Sequence, residues 1–414
     1  MSPTTNQTIL AGQAQEPAPA ALARYNRSQK IFVLVTLLLS WILANADRMA
    51  MSVSIIPITK EFALDAESAG MVLGSFYISY ALMQLAAGWL ADRFGSRKVL
   101  VFCVACWSVF TSMTGVAGSF FGLIVIRLLF GLGEGGFAPA STVTIAEAFP
   151  KPERARAKSL IIGASFLGSA VGTGAIAALI HAYGWRFAYH AFGVVGVVVA
   201  VILWFAVKDS PARAAGARKK GLFRSLFGKM VLKKTMLIFF FSNIVYVGLI
   251  SWMPTFLVKT RDIDIVHVGA ASAIPYLVAF ATLNVVGWLL DKAGQGRDRL
   301  FMSVGATMVI VFLGLMAVAT SLPWLLAFWT LSLVGYTAVY GTVFAIPLKH
   351  LPDESVGTAS GIINFGGQVA AGIAPVVIGM LVTVGKGSFN LAFVFLLAAG
   401  VGALLLALSW KSED

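Results

Sequence analysis

The 414-residue chain is poor in charge: Asp, Glu, Lys and Arg make up 12% of it, against 58% hydrophobic residues. Mean hydropathy is +0.86. A soluble domain carries about twice that share of charge and cannot hide so much apolar surface, which excludes the soluble globular class. Cysteine is almost absent. Cys103 and Cys106 have C-x-x-C spacing, but they lie in an apolar run with no flanking histidine or second pair, which leaves ordinary packing rather than redox or metal chemistry. The four histidines, His181, His190, His267 and His350, are scattered, so no metal site is expected. There is no Walker sequence, so ATP is not expected to drive anything. No nucleophile–base pair stands out, so the chain is not expected to be an enzyme. Residues 1–30 are polar and Pro/Ala-rich, without the apolar core of a signal peptide, and read as a disordered tail.

Long apolar runs fill the rest. They fall at about 31–57, 68–91, 99–117, 119–146, 159–181, 186–207, 235–258, 266–290, 301–320, 322–348, 357–385 and 387–410. A bilayer core needs about 20 helical residues per crossing, so the chain is expected to be an all-α membrane protein of twelve transmembrane helices. The runs are continuous rather than alternating, which argues against a β-barrel. The formal charge of +13 does not point to nucleic acid. With the N-terminus inside, 24 Lys and Arg fall in cytoplasmic segments and five in external loops. That asymmetry predicts both termini in the cytoplasm.

The segment 208–234 carries nine basic residues and one acid. It divides the chain into a tail (1–30), a six-helix half (31–207), a basic linker lying on anionic headgroups, a second half (235–410) and a short tail (411–414). An internal repeat supports the division. Gly88-Trp-Leu-Ala-Asp92-Arg93-Phe-Gly95-Ser-Arg97-Lys98 follows span two, and Gly287-Trp-Leu-Leu-Asp291-Lys292-Ala-Gly294 follows span eight. Gly88 permits close helix approach, Asp92 ends a helix, and Gly95 turns the chain. Arg93 and Arg97 offer partners to neighbouring acids and helix ends. Such bonds can latch one face shut in one state and release it in another.

Only four charges lie inside the spans: Asp47, Arg48, Arg127 and Glu134. Ionisable groups at membrane depth are costly and mark paths for ions, protons or substrates. Rise arithmetic puts Asp47 about 24 Å from the cytosolic edge and Arg127 about 12 Å from the outer edge, which groups Asp47, Arg48 and Arg127 at similar depths, with Glu134 about 10.5 Å deeper. An arginine fork suits a carboxylate. A buried acid is pulled toward its protonated form by desolvation and toward its ionised form by an adjacent arginine. Its proton affinity therefore depends on whether substrate occupies that arginine, which is a coupling mechanism. The competing reading is two structural ion pairs. Gly131-Leu-Gly133-Glu-Gly135-Gly136 matches a dinucleotide fingerprint but lies mid-span with no strand before it. Its glycines are expected to let span four pack closely or bend around Glu134.

The repeated motif, its position and the six-plus-six layout resemble the major facilitator superfamily over about residues 30–410. Asp47-Arg48, Arg127, Glu134 and Phe149-Pro150…Glu153-Arg154 resemble its anion:cation symporter family. That resemblance implies two pseudo-symmetric halves and symport of an organic anion with protons. It implies Asp47 and Glu134 as proton-accepting acids, Arg48 and Arg127 in substrate binding, and Tyr80 and Asn364 facing the cavity. Asn45 and Ser165 are further candidates at departures from the family pattern. Ala44-Asn45-Ala46-Asp47 lacks a tyrosine common in sugar-acid carriers, and Ser165 stands where glutamine is frequent. The substrate is thus expected to be a sugar acid, or a smaller or less hydroxylated carboxylate. Asn243, Tyr246, Tyr276, Asn284, Tyr336, Tyr340 and Gln368 are candidates from depth alone. An exchanger or uniporter without proton coupling stays open, as does a non-transporting membrane sensor. A drug:proton antiporter would carry Gly-Pro in span five, which this chain lacks. The expected partners are a small organic anion and the lipid bilayer of a bacterial inner membrane. No cofactor beyond protons is expected, and the chain is expected to act as a monomer.

Overall fold

The computed structural model describes residues 25–209, 222–293 and 296–411. Residues 1–24 of the expected disordered tail and 210–221 of the expected linker lie outside them, whereas Arg27 to Lys30, read as tail, form the first turn of α1 behind the Asn26 cap. Among the described residues every regular element is a helix. In chain order they are α1 (Arg27–Glu61), α2 (Ala66–Phe94), α3 (Ser96–Thr114), α4 (Phe120–Glu134), α5 (Phe137–Ala148), α6 (Lys151–Ala206), α7 (Leu222–Gly228), α8 (Met230–Arg261), α9 (Ile265–Ala293), α10 (Asp298–Val318), α11 (Leu322–His350), α12 (Asp353–Val384) and α13 (Asn390–Ser409). Helix α7 and the first turn of α8 fall inside the stretch read as linker.

Ten described segments are long and apolar enough to cross a membrane. The helices nevertheless supply twelve spans. The 56 residues of α6 would reach about 84 Å unbroken, far beyond a bilayer. They turn back at Gly184, whose φ of 84° and ψ of 163° are non-helical and leave the φ range open to most side chains. α2, at 29 residues, is long enough to be the remaining span. α4 and α5 together form one span, broken at Gly135-Gly136.

α1–α6 form one half and α8–α13 the other. The halves meet where α2 crosses α12 and where α6 crosses α9. Near the start of α2 the backbones almost touch. A Cβ on Gly70 would stand 2.5 Å from the Pro375 carbonyl oxygen, and one on Gly74 the same distance from that of Gly372. The Glu67 amide donates to Thr383 Oγ1 at 3.1 Å. These contacts seal the end opposite the chain termini. At the other end of α12, Cβ atoms on Gly357 and Gly361 would meet nothing within 4 Å.

Candidate functional site

The four charges sort into two groups. Arg48 Nε donates to Glu134 Oε1 at 2.9 Å, and Arg48 Nη2 reaches the same oxygen at 2.5 Å. The Glu134 side chain is 2% exposed, and its Oε2 has no hydrogen-bond partner. Arg48 is 17% exposed. Its guanidinium lies over the rings of Tyr80 (4.6 Å) and Phe76 (5.2 Å). Such stacking holds the planar fork without using its donors.

Asp47 faces elsewhere. Its Oδ2 accepts from Thr111 Oγ1 at 3.3 Å, and its buried Oδ1 has no partner. Arg127 is 3% exposed and lies over Phe76 and Phe130, each at 5.2 Å, with Nε unpartnered. Phe76 thus separates the two guanidiniums, touching both. Successive residues on a helix point about 100° apart. That is why neighbouring Asp47 and Arg48 look toward α3 and α4 respectively.

Glycines build this arrangement. A Cβ on Gly131 would run into Ser79 Oγ and the Phe76 carbonyl, and one on Gly135 would come within 2.7 Å of Met83 Cβ. Span four therefore lies directly on α2 and breaks beside Glu134, as expected from its glycine run. On the far side Gly136 and Gly133 face Cys103 and Cys106, both free thiols that serve as packing here.

The neutral candidates are mostly occupied. Ser165 Oγ accepts from Trp41 Nε1 at 2.5 Å, tying α6 to α1. Asn45 Nδ2 donates to the Trp41 carbonyl of its own helix at 2.8 Å, and Asn284 Nδ2 likewise to Phe280. Asn243 donates to the Gly367 carbonyl (2.6 Å) and accepts from Tyr336 OH (3.1 Å). Asn364 Nδ2 donates to Gln84 Oε1 at 2.5 Å, joining the two halves. Gln368 keeps a buried, unpartnered Oε1. Tyr246 stacks on Tyr336 at 4.3 Å and 6° and meets Phe166 of the other half edge-on at 6.2 Å. Tyr276 OH points to Met49 Sδ, also across the interface.

Phe76, Gln84, Thr111 and Trp41 were not among the sequence candidates. None of the four carries a charge signal, but Phe76 and Gln84 flank Tyr80 at i−4 and i+4, on the same helix face.

At the terminal end, Gly95 has φ 84°, Ser96 Oγ donates to Glu147 Oε2 at 2.9 Å, and Arg97 pairs with Asp209 at 3.1 Å while covering Trp204 at 4.1 Å. Arg93 lies exposed against Phe94 at 5.5 Å. The side chains of Gly88, Asp92 and Asp291 lie outside those described. Arg154 wraps the end of α5, donating to the carbonyls of Ala146 (2.6 Å) and Phe149 (2.9 Å). In the second half, fully buried Asp298 accepts from Lys349 Nζ at 2.9 Å and lies 3.1 Å from His350 Nε2. Each half thus ties the start of its third span to the end of its fourth.

The profile of the Major Facilitator Superfamily matches residues 36–375. The chain belongs to this superfamily. Its members are membrane transporters, not enzymes. Over 398 residues the chain is 29% identical to a probable sulfoacetate transporter of Cupriavidus necator, covering 90% of this chain and 92% of that one. It is 26% identical to a probable galactarate/D-glucarate transporter of Escherichia coli, with 88% of each covered. It is 27% identical to a hexuronate transporter of Bacillus subtilis, with 90% and 92% covered. Among solved structures, a bacterial homologue of the human lysosomal transporter Spinster superposes with a TM-score of 0.80 at 21% identity, covering 93% of this chain and 98% of that one. A D-xylose–proton symporter superposes with a TM-score of 0.76 at 17% identity, covering 92% and 97%. These two likenesses establish the fold.

Proposed function

We propose that this superfamily member imports a small organic anion together with protons by alternating access, from a bacterial inner membrane with both termini in the cytoplasm. The observation that carries it is the Arg48–Glu134 pair. A cation suited to a carboxylate is already held by a protein carboxylate whose second oxygen is buried and unpartnered. A substrate carboxylate competes with Glu134 for Arg48. When Glu134 takes a proton on Oε2, its hold on the guanidinium weakens and Arg48 turns to substrate. When substrate leaves, Glu134 regains the arginine and releases its proton. Asp47, with its own unpartnered oxygen, takes a second proton. Arg127 balances the charge there rather than binding substrate. The names of the relatives, for sulfoacetate, galactarate, D-glucarate and hexuronate, support an organic anion.

With the termini in the cytoplasm, the sealed end is the external one and the structure faces inward. The external seal at Gly70, Gly74 and Pro375 opens as the cytoplasmic ends of the two halves close.

The test is uptake into proteoliposomes loaded with a pH dye, with no imposed pH gradient, across hexonates, hexuronates, small carboxylates and aromatic acids. Internal acidification driven by one acid supports proton symport. Entry of labelled acid without acidification identifies an exchanger or uniporter. No entry of any acid removes the organic-anion reading.

A further inference from the structure

Resting on the reading above, the structure points to a narrower substrate. We infer that the anion is a monocarboxylate with a flat aromatic body, its carboxylate on Arg48 and its ring against tyrosines of both halves.

The charge inventory comes first. Within the spans the only cations are Arg48 and Arg127. Arg127 is 3% exposed and shut behind Phe76 and Phe130, and Lys158, near the cytoplasmic start of α6, is engaged by Thr142, so a ligand at the depth of Glu134 meets Arg48. The spans of the second half carry no charge. A second carboxylate or a sulfonate on the same ligand would be buried without a partner, which is strongly unfavourable.

Hydroxyl-reading capacity is the second limit. Ser165, Asn45, Asn243, Asn284 and the Asn364 amide nitrogen are already bonded within the protein. Gln368 Oε1 is a free buried acceptor, but beyond it a polyhydroxylated acid would have to break these bonds to pair all its hydroxyls, and unpaired buried polar groups are costly.

What remains is aromatic. Arg48, Tyr80, Glu134, Tyr246 and Tyr336 all lie about 20 Å of helix rise from the same end of their helices. Tyr246 and Tyr340 are partly exposed and lie within electrostatic reach of the Arg48 guanidinium. Tyr336, Tyr340 and Phe344 line one face of α11 at i, i+4 and i+8. Tyr246 stacks flat on Tyr336 and meets Phe166 of the first half. A planar ring entering here continues an existing stack at modest conformational cost.

The test is isothermal titration of the purified full chain at acidic pH with benzoate, phenylacetate and 4-hydroxybenzoate, against glucuronate, gluconate, galactarate and sulfoacetate. We expect at least one aromatic monocarboxylate to bind about tenfold or more tighter than each of the others. Tyr246→Ala and Tyr340→Leu should each weaken that ligand by about tenfold, while Tyr246→Phe, which keeps the ring, stays within about threefold. Unchanged melting behaviour of Tyr340→Leu guards against a folding defect in Tyr246→Ala. Tighter binding of a sugar acid, a diacid or sulfoacetate overturns the inference while leaving the organic-anion reading intact. So does Tyr246→Phe losing as much as Tyr246→Ala, because the hydroxyl would then be the recognised group. Binding of none of the seven acids overturns both.

Discussion

Replacing Glu134 by glutamine separates the role of its charge from the role of its shape. In the wild type, Arg48 donates twice to one Glu134 oxygen, at 2.9 and 2.5 Å. At an effective dielectric constant of about 20, two unit charges about 3 Å apart attract by roughly 5–6 kcal/mol. Desolvation consumes part of that, and losing one partner of a buried pair costs about 3–5 kcal/mol. A substrate carboxylate that takes Arg48 while Glu134 is ionised must therefore give up about 3 kcal/mol, roughly a 150-fold loss in affinity. Protonating Glu134 removes that competitor. Affinity should then rise as pH falls, by up to tenfold per pH unit for each proton taken up with the substrate.

Glu134→Gln imitates the protonated acid permanently. Its affinity should depend less steeply on pH than that of the wild type, by the one proton that Glu134 no longer takes up. In dye-loaded proteoliposomes the same variant should exchange substrate but no longer accumulate it against a gradient. The assay is titration calorimetry from pH 5 to 8.5 on both proteins, with melting temperature as a folding control, since the variant leaves Arg48 without its counter-charge. A variant that keeps the wild-type slope, or one that still accumulates substrate, refutes the proposed coupling through Glu134.

The remaining predictions concern neighbours of that pair and the supports of the fold. Arg48→Ala should abolish measurable substrate binding; unchanged affinity in calorimetry would remove Arg48 from the site. Gly131→Val drives a side chain into the Phe76 carbonyl and Ser79 and should cost about 1–3 kcal/mol of stability by thermal melting, whereas Gly118→Ala, which meets nothing within 4 Å, should cost far less. Asp298→Ala strips the counter-charge from Lys349 and should lower stability by about 3 kcal/mol; an unchanged melting temperature would show that this end is solvated. Outside the membrane, hydrogen bonds from Arg186 and then Trp185 hold the Glu61 carboxyl below the usual carboxylate range. A depressed acid contributes stability above its unfolded pKa and loses it as pH falls through the folded value. Glu61→Gln should therefore melt slightly lower than the wild type near neutrality, by under about 1 kcal/mol for so exposed a pair, and the difference should vanish below about pH 4.

The membrane class, the spans and the four intramembrane charges were legible because burying charge in lipid is so unfavourable that any exception stands out. Gly131, Gly133, Gly135 and Gly136 were legible for a related reason: four glycines around an acid make sense only where helices press together. Pairing was harder to read. Depth arithmetic grouped Asp47, Arg48 and Arg127, yet Arg48 turns to Glu134 while Asp47 turns to Thr111. Depth follows from rise along one helix, but pairing needs the rotation of several helices about their axes, which a single sequence does not specify. Neutral polar residues were the least legible. Ser165 and Asn45 were candidates for substrate contact, and both are bonded within the protein. An i, i+4, i+8 scan around Tyr80 would have found Phe76 and Gln84, since one helix face tends to meet one neighbour.

The two halves share a fold but divide the work. Every intramembrane charge belongs to α1 and α4, whereas the second half brings stacked aromatics and the Asn243–Gly367 and Asn364–Gln84 bonds. A protonation event in the first half can reach the second only through groups both halves touch. Among these are the substrate position on Arg48, the Gln84–Asn364 bond, the Tyr246–Phe166 and Tyr276–Met49 contacts, and the packed Gly70–Pro375 crossing. The crossing is backbone against backbone and cannot respond to charge. Gln84, by contrast, lies one turn from Tyr80, which stacks on Arg48. When Arg48 leaves Glu134 for substrate, the ring beneath it must shift, and Gln84 with it. Gln84→Ala should therefore leave substrate affinity within a few-fold of the wild type but slow turnover, because binding would no longer be relayed to the second half. A Gln84→Ala protein with full turnover would remove Gln84 as the relay between the halves.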